Sequence, residues 1–212
     1  DFLFSKVLIN LIKLKDLDAL TVLSNTAEKL SAGEILQIEK SMSKTMTEDV
    51  YYDMIYQKTA SLISTSCEIG AITASKKKVD RQNMALFGKH LGMAFQIKDD
   101  LFDLEGTESE TGKNVGLDVK KNMITLPLIH SYSNISKKGE RKIKRIMRNK
   151  HKTDEDVNEL KNIIHEADGF NYARKKIDDF SSIAIEAISQ YPDSVYKDSL
   201  IDLVAYNIQR TG

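Results

Sequence analysis

Residues 92–106 read GMAFQIKDDLFDLEG, with three carboxylates, Asp99, Asp100 and Asp103, set among Met93, Phe95, Ile97, Leu101, Phe102 and Leu104. Positions three and four apart on a helix share a face, so Asp99 and Asp103 stack one turn apart with Asp100 beside them. Like charges at that spacing repel, by roughly a few tenths of a kcal/mol even on an exposed helix. Magnesium prefers carboxylate oxygens and is commonly held by one or two of them together with substrate phosphates. A bound dication would reverse the repulsion. The plainer alternative is a solvent-facing helix edge whose acids serve as N-caps or pair with Lys98. A second acid pair, Asp178–Asp179 in KKIDDFSS, lacks a third acid at the right offset and reads as surface.

The flanks also carry chemistry. Downstream, TGKNVGLDVKKNMITLPL (111–128) places Lys113, Asp118, Lys120 and Lys121 around Gly112 and Gly116. Lysines close to a carboxylate-bound metal suit a diphosphate as point charges. Upstream, Tyr56-Gln57-Lys58-Thr59-Ala60 sets a lone cation and a hydroxyl inside an apolar helix, where a lysine that snorkels outward is the competing explanation. Acid cluster, basic loop and apolar helices together suit a metal-bound diphosphate with a hydrocarbon tail. Nucleophilic catalysis is poorly supported: Cys67 has no obvious base beside it, and His90, His130, His151 and His165 show no ligand spacing.

The elements that must position these groups read as helices throughout. Apolar residues recur with helical spacing in 2–13, in 19–39 around Leu20, Leu23, Ala27, Leu30 and Ile35, and in 50–74 around Tyr52, Ile55, Ala60, Ile63 and Ile69. No alternating strand or Asn-Gly or Asp-Gly hairpin interrupts them, and Pro127 and Pro192 are the only prolines. Breaks fall at 16–18, 43–48, 76–80, 105–114, 133–139, 168–169 and 190–194. An all-α fold in a single domain over 1–212 is expected. Basic and acidic residues number 31 each, which argues against a nucleic-acid partner. The densely basic stretch 137–152, KKGERKIKRIMRNKHK, is read as a solvated face balanced by Asp154–Glu159. One cysteine excludes an internal disulfide framework and suits a reducing cytosol. No run approaches the roughly 20 apolar residues of a transmembrane helix, and no signal peptide is recognised, so a cytoplasmic protein is expected.

FQIKDDLFDLEG followed by GKNVGLDVKKNMITLPLIHS resembles the second aspartate-rich motif and lysine loop of the trans-type isoprenyl (polyprenyl) diphosphate synthases. SAGEILQIE (31–39), YQKTASLISTSCEIGA (56–71), DGFNYARKKI (168–177) and SLIDLVAYNIQRTG at the end are similar to further helices of that family, so the likeness covers the whole chain.

The resemblance implies an isoprenoid-synthase helical bundle. It also implies a reaction in which isopentenyl diphosphate attacks the cation left when an allylic diphosphate is ionised with the help of magnesium. By motif, Asp99, Asp100 and Asp103 would hold Mg2+, with Asp99 the direct ligand. Lys58 and Lys113 would contact the allylic diphosphate, with Lys120 and Lys121 as further basic groups of the loop. Thr59 and Gln96 would lie along the substrate near the cation, and Phe95 would face the isopentenyl pocket. A homodimer is implied as well. Two departures stand out: Met123 occupies the position of a family lysine before TLPL, and the family's first aspartate-rich motif and arginine pair would lie upstream of DFLFSKVL. The chain is therefore expected to be a partial domain. A terpene cyclase of the same fold and a non-catalytic subunit are the alternatives.

Overall fold

The computed structural model describes residues 2–106 and 116–210, and every regular element among them is helical. Helix α1 spans Phe2–Leu14 and α2 Leu17–Ser43. Asp16 caps α2 by accepting the Ala19 N–H at 3.0 Å, and Lys44 ends it in the left-handed region. Thr47 caps α3, Glu48–Ile55, which runs through a π-helical turn at Tyr56–Ala60 into α4, Ser61–Ala74. The sequence pattern over 50–74 predicts one uninterrupted helix. The chain instead inserts a turn in which the Ser61 N–H reaches the Tyr56 carbonyl five residues back, a local change of register that apolar periodicity does not encode.

Helix α5, Lys78–Glu105, is the axis of the molecule and packs chiefly against α4 and against α10, Gly169–Ala187. Close approach depends on missing side chains: a Cβ on Gly88 would lie 2.8 Å from the Ser64 Cα of α4, and one on Gly92 2.5 Å from the Ala60 Cα that ends the π turn. Helix α2 meets the π turn the same way, since a Cβ on Gly33 would fall 2.6 Å from the Lys58 nitrogen. Among the described residues, four shorter helices follow α5: α6, Leu117–Lys120; α7, Leu126–Asn134; α8, Lys137–Arg148; and α9, Asp154–Glu166. After α10, the chain closes with α11, Val195–Gln209.

The main apolar core joins α3, the second half of α5 and α7–α10, with Ile97, Leu104, Leu126, Leu128, Ile146 and Leu160 fully enclosed. A smaller cluster around Phe87, Ile188 and Val204 ties α5 to α10 and α11. Most of the basic stretch 137–152 forms α8, which buries Ile143, Ile146 and Met147 and carries its cations outward. Lys152, beyond it, departs from the solvated face: it is buried and donates to Asn122 Oδ1 and to the Asn149 carbonyl. Lys142 and Arg145 both pair with Glu159 of α9. Asp178 and Asp179 are exposed, as their sequence context suggests. No helix among the described residues is long and apolar enough to cross a membrane.

Candidate functional site

The C-terminal half of α5 delivers Gln96, Asp99, Asp100 and Asp103, but each aspartate turns to a different partner. Asp100 is 5% exposed; its Oδ2 accepts the Tyr51 hydroxyl at 2.6 Å and its Oδ1 accepts the Gln96 amide, one helical turn back, at 2.9 Å. The Thr59 hydroxyl donates in turn to Gln96 Oε1 at 2.6 Å. Thr59, Gln96, Asp100 and Tyr51 thus form one chain of hydrogen bonds linking the π turn, α5 and α3. Burial pushes the Asp100 carboxyl up to about 7; the nearby Asp118 charge adds to this, while the Tyr51 and Gln96 hydrogen bonds oppose it. Burial, then the Asp100 charge, keeps the Tyr51 phenol protonated as the donor.

Asp103 faces the next element. Its two oxygens accept the N–H groups of Leu117 at 3.0 Å and Asp118 at 2.9 Å, and its backbone carbonyl accepts the Gly116 N–H at 2.7 Å. The carboxylate therefore anchors the start of α6, using N–H groups that have no partner inside the helix. Asp118, delivered by that short helix, is pushed up to about 6 by burial and by the Asp103 charge, with Lys121 and Lys58 pulling the other way. Asp99, 39% exposed at its side chain, pairs through Oδ1 with Arg210. Lys98 takes no part in the acid cluster and donates to the Ile208 carbonyl at 2.9 Å.

A cleft of about 510 Å³ opens where α2, α3, the π turn, the end of α5 and the Lys121–Thr125 segment meet. Asp99, Asp100, Asp118, Gln96, Lys58 and Lys121 line its polar end. Met46, Met54, Ile55 and Ile124 form its apolar wall. Among the described residues, neither Asp99 Oδ2 nor the Asp118 carboxylate makes a hydrogen bond, and both residues line the cleft. Lys58 is held by two residues of α2, Glu34 at 3.2 Å and Gln37. Gln37 also donates to the Met123 sulfur at 3.4 Å, so the residue at the departure from the family pattern is packed into the same wall.

Not every expected residue gathers here. Lys121 is exposed on the cleft, whereas Lys120 turns to Asp154 of α9 at 2.8 Å and does not line it. Phe95 lies under the Arg210 guanidinium, 4.2 Å from ring centre to Cζ, and is absent from the cleft lining. Lys113 falls outside the described residues. Conversely, sequence reasoning missed Tyr51, Asp118 and Arg210 as parts of the site. Asp118 had a signal in its place beside the lysines, but Tyr51 and Arg210 had none, because only folding brings them to the acids.

The sequence profile of the polyprenyl synthetase family matches residues 1–164. The chain is 30% identical to a probable mitochondrial hexaprenyl pyrophosphate synthase of Neurospora crassa, covering 99% of this chain and 47% of that protein. It is 28% identical to the octaprenyl diphosphate synthase of Escherichia coli, covering 99% and 65%. Its structure matches a decaprenyl diphosphate synthase from Rhodobacter capsulatus with a TM-score of 0.92 and 27% identity, over 100% of this chain and 65% of the other. It also matches a polyprenyl synthase from Caulobacter crescentus complexed with calcium and isoprenyl diphosphate, with a TM-score of 0.93 and 25% identity over 100% and 65%. The chain thus spans about half to two thirds of the length of these relatives. With matches of this extent in both sequence and structure, the chain belongs to the polyprenyl synthetase family.

Proposed function

We propose that residues 1–212 belong to one prenyl-transfer domain that condenses isopentenyl diphosphate with an allylic prenyl diphosphate to give a longer trans-prenyl diphosphate. The observation that carries this is the cleft itself, with carboxylates facing two lysines at one end and methionine and isoleucine along the wall. That division matches a substrate whose head is a diphosphate and whose tail is hydrocarbon.

The donor set fits magnesium in company with diphosphate oxygens rather than an all-protein cage. Among the described residues no three His, Cys, Asp or Glu side chains gather as a metal site, while two carboxylates offer free oxygens to the cleft. Asp99 is the direct ligand in this proposal, Asp118 its neighbour across the cleft, and Asp100 a buried support. Asp103, whose oxygens accept two N–H groups at the start of α6, is in this proposal a support for the site rather than the direct ligand. Magnesium held there supplies positive charge to a departing diphosphate.

The rest falls to the protein. Lys58, fixed by Glu34 and Gln37, and Lys121 place cations where the leaving group gains negative charge, the point at which electrostatic stabilisation counts most. Lys113 belongs to the same loop and is proposed to join them. Thr59 orients the Gln96 amide beside the reacting carbon, and the apolar wall excludes water from the allylic cation. The active form is proposed to be a cytoplasmic homodimer, on the family resemblance.

Incubating the full-length protein with labelled isopentenyl diphosphate and an allylic diphosphate should give longer prenyl diphosphates, and Lys58→Ala should suppress them. Cyclised hydrocarbon would instead indicate a terpene cyclase. A folded full-length protein with no turnover would indicate a non-catalytic subunit.

A further inference from the structure

Arg210, beyond the last turn of α11, reaches back to the end of α5 and is gripped there on all sides. Its Nη2 donates to Asp99 Oδ1 and to the Phe95 carbonyl at 3.0 Å, and its Nε donates to Asn207 Oδ1 at 3.0 Å. The guanidinium lies over the Phe95 ring at 4.2 Å and near the Phe102 ring at 5.1 Å. Its side chain is only 12% exposed, and Asn207 is 3% exposed. A planar cation with five donors suits such a slot, which neither lysine nor a neutral side chain reproduces.

We propose that Arg210 is a positioning residue for Asp99. By engaging Oδ1 it turns Oδ2 to the cleft, and it makes divalent-cation affinity at the α5 acids depend on its guanidinium. The inference rests on the reading of Asp99 as a cation ligand. An alternative role, a latch that the cation must displace, fits the geometry less well. The two aromatic rings, the Phe95 carbonyl and Asn207 fix the guanidinium independently of Asp99, so it is a fixed peg rather than a swinging arm. Carboxylates that bind metals are themselves held by such outer contacts, and losing one typically weakens the metal about 10–100-fold. The positive charge of Arg210 repels a cation and acts in the opposite direction, so the sign of the change decides between peg and latch.

The test is Mn2+ binding, followed by electron paramagnetic resonance of the free ion, alone and with inorganic diphosphate, at fixed pH and salt. Arg210→Gln should weaken binding with diphosphate about 10–100-fold. Lys98→Met, which removes the hydrogen bond to the Ile208 carbonyl and leaves Asp99 untouched, should stay within about threefold of the parent protein. Asp99→Asn should abolish the same binding. Unchanged or tighter binding in Arg210→Gln, or an equal loss in Lys98→Met, overturns the positioning role while leaving the cation site standing. Unchanged binding in Asp99→Asn overturns the site and the inference with it. If Arg210→Gln does not fold, Arg210→Lys, which keeps the charge and loses the planar fork, should still weaken binding, and parent-like affinity there overturns the proposal.

Discussion

Lys120 and Lys121 are neighbours with opposite surroundings, one in an exposed ion pair with Asp154 and the other open to the cleft. An exposed pair contributes about 0–1 kcal/mol, so Lys120→Ala should leave both melting temperature and turnover close to the parent values. Lys121→Ala should lower kcat/KM by about 10–100-fold if the residue meets charge that develops on diphosphate, with the melting temperature unmoved. Equal kinetic effects at the two positions would refute the assignment. His90 gives a second test of local physics. Its ring stacks on Phe180 with centroids 5.6 Å apart, and its buried Nδ1 has no hydrogen-bond partner among the described residues. Burial, with the Lys89 charge adding, pushes the imidazole down to about 4. The folded state then binds fewer protons than the unfolded one between that value and the ordinary 6.5. Stability should therefore be fully present above about pH 6.5 and fall as pH drops toward 4, by a loss on the order of 1–3 kcal/mol. Urea unfolding across that window should show a shallower decline in His90→Phe. Cys67 is a half-buried thiol whose ionisation burial disfavours, which agrees with its having no assigned chemistry.

At the scale of elements, the contact between α4 and α5 sets the site, because the π turn supplies Lys58 and Thr59 while α5 supplies Gln96 and the acids. Gly92 is where the backbones meet: a Cβ there would approach the Ala60 Cα to 2.5 Å and its Cβ to 2.8 Å. Neither neighbour is the free end of a flexible chain, so the helices must separate. Gly92→Ala should destabilise the fold by about 1–3 kcal/mol, the usual range for overpacking, and lower kcat/KM as Thr59 moves away from Gln96. Gly70 on the same α4 is exposed, and a Cβ there would meet nothing within 4 Å. Gly70→Ala should stabilise by about 0.5–1 kcal/mol through helix propensity alone, with activity unaffected. Thermal unfolding of the two variants side by side checks both signs.

The whole molecule shows an uneven surface. Apolar residues over 50–74 point in sequence to burial on more than one side, yet of the large apolar side chains of α4 only Leu62 stays strongly exposed, at 44%. Open apolar side chains lie instead on α1, where Phe2 is 72% exposed, Leu3 78% and Ile12 61%, with others along α2, such as Ile35, and on α11, such as Val195 and Tyr196. None of the residues of α1 is buried. A helix with this many large apolar side chains in water is uncommon on a monomer. The 212-residue chain alone should associate with rising concentration in the micromolar range, and replacing Leu3 and Ile12 by lysine should reduce that association without changing the α5 core. A concentration-independent monomer in sedimentation would show that this helix tolerates water as it stands.

Much was legible in the sequence because helices are local objects. Apolar spacing and breaking residues placed α1, α2 and most later breaks within a few positions, and the DDLFD acids stood out by type and spacing, whereas Lys58 was singled out by the family resemblance. The π turn was not legible, since its five-residue hydrogen bonding leaves apolar periodicity nearly intact while Lys58 meets α2 and Thr59 meets α5. Nor was the division of labour among the three acids, which their one-turn spacing presents as a single cluster. Each carboxylate finds its partner through the fold: Tyr51 lies 49 residues from Asp100, and Arg210 lies 111 from Asp99. A buried or half-buried carboxylate must be neutral, paired or hydrogen-bonded, and which of these it becomes depends on groups that only packing of α3, α6 and α11 around α5 brings within reach. The sequence by itself determined the helices, the acids and the family; tertiary structure decided which oxygens stay free to face the cleft.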